Sequence, residues 1–174
     1  MISMEQIDYQ KINEIEGKIG TPFYLMFPDR YRRNVSSFMA AFTKRYPKII
    51  AGYSFKTNYV PALCDIARTM GVYAEVVSEM ELDLAIQLGF ENIIFNGPIK
   101  KESTLLKAID HHAIINLDAE YEVDTVCRLK QENPDLPMRI GLRVNVHLVD
   151  ENGNSVIQCG LRHGRFGFPD LCEK

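Results

Sequence analysis

Residues 71–97 read GVYAEVVSEMELDLAIQLGFENIIFNG. The stretch "VYAEVV" (72–77) is strand-like. A helix is expected over 78–88, stopped by Gly89, and "NIIFN" (92–96) reads as a second strand. Two strands joined by a helix of about ten residues need a crossover connection, so the strands run parallel and helices cover the sheet. The rhythm extends in both directions. Upstream, "TPFYLMF" (21–27) reads as a short strand, followed by a helix over 28–46 with Tyr31, Val35, Phe38, Met39 and Phe42 on one face. "KIIAGYSF" (48–55) is a strand, and 60–71 is a helix begun by Pro61 and stopped by Gly71. Downstream come a helix over 101–110, the strand "AIINL" (113–117), a helix over 119–132 and the strand "MRIGLRVNV" (138–146). The Asp, Asn and Gly content of "HLVDENGNSVIQCG" (147–160) marks a long, mobile loop.

Two architectures accommodate this alternation. A doubly wound sheet announces itself with a Gly-rich phosphate turn, and neither G-x-G-x-x-G nor G-x-x-x-x-G-K-[ST] occurs here. A barrel instead gathers its chemistry at the C-terminal ends of several strands. The successive strands end in Lys56, Glu75, Asn96, Asn116 and the pair Arg143 and Asn145, so polar groups recur at one end of an otherwise apolar sheet. A period of two puts Ile140, Leu142 and Val144 toward the helices and Arg139, Gly141, Arg143 and Asn145 toward the barrel axis. By the same parity Tyr53 and Phe55 face helices, whereas Gly52, Ser54 and Lys56 face inward. Long cations in an enclosed mouth need anionic partners to offset desolvation, and Glu75 and Glu81 are candidates. A lysine among carboxylates suggests imine chemistry, because a neutral amine attacks a carbonyl. Aldolase-like barrels and pyridoxal phosphate enzymes both satisfy that description.

Composition narrows the partners. The 174 residues are 46% hydrophobic and 25% charged, as expected of one globular domain rather than a disordered chain. A net charge of -3 and a pI near 5.8 provide no general attraction to nucleic acid or an anionic membrane, which leaves a small molecule as the expected partner. Residues 1–20 hold no continuous apolar run, and no segment approaches the roughly 20 apolar residues that span a bilayer. A cytoplasmic location is expected. Cys64, Cys127, Cys159 and Cys172 are scattered without a C-x-x-C pair, and so read as reduced thiols, Cys64 and Cys127 as small core residues. The adjacent His111 and His112 diverge too much to share a metal and read as structural.

Ordered motifs then carry a resemblance. "YSFKTN" (53–58) is similar to the Y-A-V-K-A-N motif of the alanine racemase-like, fold type III pyridoxal phosphate enzymes. "GVYAEVVSEMEL" (71–82) resembles their G-x-G-x-D-V-V-S-x-x-E-L, and "ENIIFNGPIKKESTLLKAI" (91–109) resembles E-R-I-V-F-x-G-x-x-K-x-x-x-E-L-x-x-A-I. "LRVN" (142–145) resembles L-R-I-N, and "GLRHGRFGF" (160–168) the T-G-x-x-S-K-F-G of diaminopimelate decarboxylases. The motifs cover most of residues 21–168 and are closest to the diaminopimelate and ornithine decarboxylase family.

The resemblance implies a partial (β/α)8 barrel, an N-terminal extension over 1–20 and the amino-terminal part of a pyridoxal phosphate-binding barrel over 21–174. It implies decarboxylation of a basic or diamino amino acid through a Schiff base on Lys56, with Glu75, Ser78, Glu81 and Arg143 around the cofactor and a homodimer as the complete enzyme. A racemase of the same fold type, an aldolase without the cofactor and a non-catalytic regulatory homologue are the alternatives. Departures fall at Glu75, where the family often has Asp, at "SEME" (78–81) for S-G-G-E, and at "RHGR" (162–165), read as a loop variation. Since complete barrels of this type run to about 250 residues, the chain is expected to lack the last strands, the later phosphate-binding loop and a C-terminal β-domain, to which "TPFYLMF" would belong. The expected consequences are exposed strand edges and no catalysis by these 174 residues alone.

Overall fold

The computed structural model describes residues 8–145, 149–154 and 166–169. Its centre is a parallel sheet of five strands, β1 (Gly52–Ser54), β2 (Tyr73–Val76), β3 (Ile93–Phe95), β4 (Ile114–Leu117) and β5 (Arg139–Leu142), paired in chain order. The crossovers are α3 (Pro61–Thr69), α4 (Glu79–Gln87), α5 (Glu102–Asp110) and α6 (Glu120–Glu132). Two of them start on a local signal: Pro61 opens α3, where its missing N–H costs nothing, and the Ser78 hydroxyl caps α4.

Strand parity separates the two faces. Ala74, Val76, Ile93, Phe95, Ile115 and Leu117 are buried beneath Leu82, Ala85, Leu105, Ala108, Val126 and Leu129 of the helices. Removing such side chains from water stabilises the fold by roughly 1.5–3 kcal/mol for each of the larger ones. The intervening residues, among them Ser54, Glu75, Asn96 and Asn116, look toward the opposite, concave side. Register holds them in line: Ser54 pairs with Glu75, and Asn116 with Gly141.

Several expectations are corrected. Residues 21–27 form no strand, because no neighbouring backbone offers them a ladder; Tyr24 is 97% exposed. Residues 9–19, within the expected N-terminal extension, form α1 (Tyr9–Ile19), capped by the Asp8 carboxylate accepting from the N–H groups of Gln10 and Lys11. On α2 (Pro28–Thr43), Tyr31 and Val35 are partly buried, but Phe38 and Phe42 are exposed and pack on each other. Cys64 is buried as expected, whereas Cys127 is exposed on α6.

The strand expected over 138–146 divides at Arg143. Its N–H donates to Leu117 O (2.9 Å), extending the five-stranded sheet, while its carbonyl accepts from the N–H of Phe168 (2.7 Å). The chain thus changes partners, and β6 (Val144–Asn145) pairs with β7 (Phe168–Pro169) in a separate two-stranded sheet. The expected helix cover over Ile140 and Leu142 is not met: both are exposed, Leu142 at 60%, and Leu142 also borders the cavity described below. Of the expected loop over 147–160, only 149–154 are described, as a turn held by the Asp150 carboxylate. "RHGR" lies outside the described residues.

Candidate active site

The concave end of the sheet holds a cavity of about 660 Å³, with Ser54, Lys56, Glu75, Asn96, Asn116 and Arg143 in its wall. Five of these are the strand-end residues singled out from the sequence.

Lys56 stands two residues beyond β1. The N–H groups of Thr57 and Asn58 both donate to Ser54 O, at 3.1 and 3.4 Å, which turns the chain sharply at the strand end. Phe55 fixes that turn: its N–H donates to Glu75 O (2.9 Å), and its fully buried ring packs edge-on against Phe90. The anchored phenylalanine leaves the next side chain exposed on the cavity side. Lys56 is the only lysine lining the cavity among the described residues.

Across the floor the polar side chains bond to one another. Asn96 Nδ2 donates to Glu75 Oε1 (3.0 Å), and Asn116 Nδ2 donates to Asn96 Oδ1. The Asn116 oxygen then points into space that only a glycine leaves open, since a Cβ on Gly141 would lie 2.3 Å from it. At the far wall Arg143 Nη1 donates to Asp118 Oδ1 (3.1 Å), and the guanidinium lies over the Phe166 ring at 4.6 Å. The anionic partner of this cation is therefore Asp118, which the sequence reading did not name; Glu75 and Glu81 are engaged elsewhere.

Ser78 and Glu81 do not line the cavity. The Ser78 hydroxyl accepts from the Glu81 N–H (3.3 Å), and the Glu81 carboxylate, 6% exposed, turns back to accept from the Val77 N–H (2.8 Å). The pair is a variant of the capping box that fixes the β2–α4 turn, and Val77 of that turn does border the cavity. The same device recurs two strands on, where Glu122 accepts from the Asp118 N–H (2.8 Å). There it is reinforced: Glu122 also accepts from the Lys100 N–H (3.0 Å) and from Lys100 Nζ (3.1 Å), with both side chains fully buried. Lys100 Nζ also donates to Gly97 O and lies over the Phe95 ring. Burial pushes the Lys100 pKa down, and the neighbouring Glu122 charge opposes that shift. Lys100, Asp118 and Glu122 were missed as a group, yet one signal was legible: a glutamate four residues beyond each strand-end position, Val77 and Asp118.

Residues 32–173 match the family model described as the pyridoxal-dependent decarboxylase, pyridoxal binding domain. The chain belongs to this family. Among curated relatives, it is 28% identical over 165 residues to diaminopimelate decarboxylase of Aquifex aeolicus, covering 92% of this chain and 38% of that protein. It is 31% identical to the Bacillus subtilis diaminopimelate decarboxylase, covering 87% of this chain and 35% of that one. The chain thus spans well under half the length of these relatives. The crystal structure of diaminopimelate decarboxylase from Methanocaldococcus jannaschii, in complex with L-lysine, superposes with a TM-score of 0.78 at 24% identity, over 92% of this chain and 38% of that one. The parallel α/β sheet described above is thus the amino-terminal part of a barrel of this decarboxylase type.

The donor set suits pyridoxal phosphate. Lys56 offers a primary amine for its aldehyde, Glu75 and the asparagines offer a polar floor, and Arg143 a fixed cation. A volume of about 660 Å³ falls within the range of small-molecule sites, roughly 300–1,000 Å³. Among the described residues no group of His, Cys, Asp and Glu could hold a metal ion, and no helix is long and apolar enough to cross a membrane.

Proposed function

We propose that the protein acts in the pyridoxal phosphate-dependent decarboxylation of a diamino acid, with Lys56 carrying the cofactor. One observation bears most of the weight: in a chain of this family, Lys56 stands alone among described lysines at a polar-floored cavity built from the C-terminal ends of parallel strands. When bound, pyridoxal phosphate supplies an aldehyde for an amine and a conjugated ring that accepts the electron pair released with carbon dioxide.

The chain's own residues position, exchange and screen. Lys56 Nζ, at the cavity wall, would hold the cofactor through its aldehyde, and its amine would be sited to move a proton. Glu75, with one oxygen held by Asn96, keeps its other oxygen available to accept from an N–H or O–H in the cavity. Arg143, braced by Asp118 and Phe166, offers an anion a charge that needs no reorganisation. Ser78 and Glu81 contribute through the turn that places Val77 rather than by contact with the ring. The diamino acid class is supported by the relatives named diaminopimelate decarboxylases and by the lysine in the solved neighbour. The complete protein is proposed to work as a homodimer.

The test uses the complete protein loaded with pyridoxal phosphate. Borohydride reduction and peptide mapping should place the label on Lys56, and carbon dioxide should be released from one member of a panel of diaminopimelate, lysine, ornithine, arginine and carboxynorspermidine. Lys56→Ala should lose both signals while keeping the fold. Labelling at Lys100 or Lys101 instead, with Lys56 unmodified, would overturn the assignment.

A further inference from the structure

The cavity floor contains two residues whose side chains bond to no part of the helical shell but to each other and to Glu75. An ionised carboxylate can only accept hydrogen bonds. Asn96 must therefore turn its amide N–H toward Glu75 Oε1, which leaves Asn96 Oδ1 as the acceptor for Asn116 Nδ2. The polarity set at Glu75 is thus handed across β3 to β4, and the last acceptor, Asn116 Oδ1, ends against the bare Cα of Gly141 on β5. Amides orient on a carboxylate in this way only if the strands hold them in register, and Asn116 does pair with Gly141 in the sheet. The absence of a side chain at Gly141 is part of the same arrangement, because any Cβ there would displace the Asn116 oxygen.

We propose that Asn96 and Asn116 are positioning residues that hold the Glu75 carboxylate toward the cofactor carried on Lys56, and that Gly141 is the steric end-stop of their chain. The proposal rests on the functional reading above and adds three residues to it. Without Asn96 the Glu75 side chain is free to change rotamer. Without Asn116, the Asn96 oxygen loses its donor, and Asn96 is free to leave Glu75. An alanine at Gly141 pushes Asn116 out of line with the same result. The three sites therefore act in series on one carboxylate rather than in parallel on the ligand.

The experiment measures pyridoxal phosphate affinity by equilibrium dialysis of the apo form of the complete protein, together with the rate of borohydride trapping at Lys56. Single variants Asn96→Ala, Asn96→Asp, Asn116→Ala and Gly141→Ala are each expected to weaken affinity by about tenfold, the scale of one lost charge-assisted hydrogen bond. Far-UV circular dichroism and melting temperature report the fold, and Asn96→Asp preserves the shape if Asn96→Ala does not fold. The decisive outcome is non-additivity. Asn116→Ala should add nothing in an Asn96→Ala background, and neither should change affinity further once Glu75 is alanine. Full additivity, or wild-type affinity in all the single variants while the unmodified protein is trapped at Lys56, overturns the positioning chain and leaves the functional reading intact. Failure of the unmodified protein to bind the cofactor at Lys56 overturns both.

Discussion

Two consecutive residues, Phe55 and Lys56, leave one turn in opposite directions, the first into the core and the second to the cavity wall. The phenylalanine is fully buried and bonded through its N–H to Glu75 O, and the lysine projects from the far side of the same turn. At the opposite wall, Arg143→Leu removes the ion pair to Asp118 and the stacked guanidinium together, and should reduce cofactor affinity or turnover in the complete protein. Unchanged values for both would exclude a role for this cation. Cys64 supplies a test with a definite sign. Burial raises its thiol pKa from 9.0 to about 11, so between these values the unfolded chain has lost a proton that the folded chain keeps. The stability linked to this thiol is complete below pH 9.0 and declines as pH rises toward 11. Urea unfolding across that range should show a steeper alkaline decline than for Cys64→Ala, and iodoacetamide should modify Cys127 before Cys64 in the folded protein. Lys56 and Arg143 were legible in the sequence because strand parity places them inward. Asp118 was not, because its partnership with Arg143 joins positions 25 residues apart that only the β4–β5 pairing brings together.

The elements owe their precision to carboxylates at the βα turns. Ser78→Ala should cost about 1 kcal/mol, the usual price of an N-cap, measured by chemical denaturation. Glu122→Gln should cost more, about 3–5 kcal/mol, since it strands the buried Lys100 charge. Combining Lys100→Met with Glu122→Leu should recover much of that loss, because a buried pair exchanged for apolar groups of similar volume is often close to neutral. No recovery would mean that the backbone N–H groups of Lys100 and Asp118, which would lose their acceptor, matter more than the pair itself. Helix positions were read from period and stop signals to within one or two residues for α3 to α6. Residues 21–27 carry a strand-like apolar pattern, but a strand needs a partner backbone, and none of the described strands pairs with them. The break at Arg143 was likewise invisible, since both halves of "MRIGLRVNV" alternate correctly and only the change of partner separates them.

At the scale of the molecule, the described five-stranded sheet has β1 and β5 at its edges. Ile140 and Leu142 of β5, with Val144 of β6, leave apolar area exposed, which favours association when these 174 residues are produced alone. Sedimentation should show a mass that rises with concentration, and Ile140→Lys with Leu142→Lys should reduce it; a concentration-independent monomer would refute this. The parallel order was legible at this scale because every crossover contains a helix, and the candidate cavity was legible because polar residues recur at one end of each strand. The cross-strand bonding of those residues was not, since it depends on register. The buried acceptors at the turns have one more consequence, for hydrogen exchange. Loop amides ordinarily exchange with solvent deuterium far sooner than those of a core sheet. The N–H groups of Val77, Lys100 and Asp118 instead end on the buried carboxylates of Glu81 and Glu122, so their deuterium uptake should follow the slow kinetics of β2 to β4, and the cavity rim should open only when the sheet does.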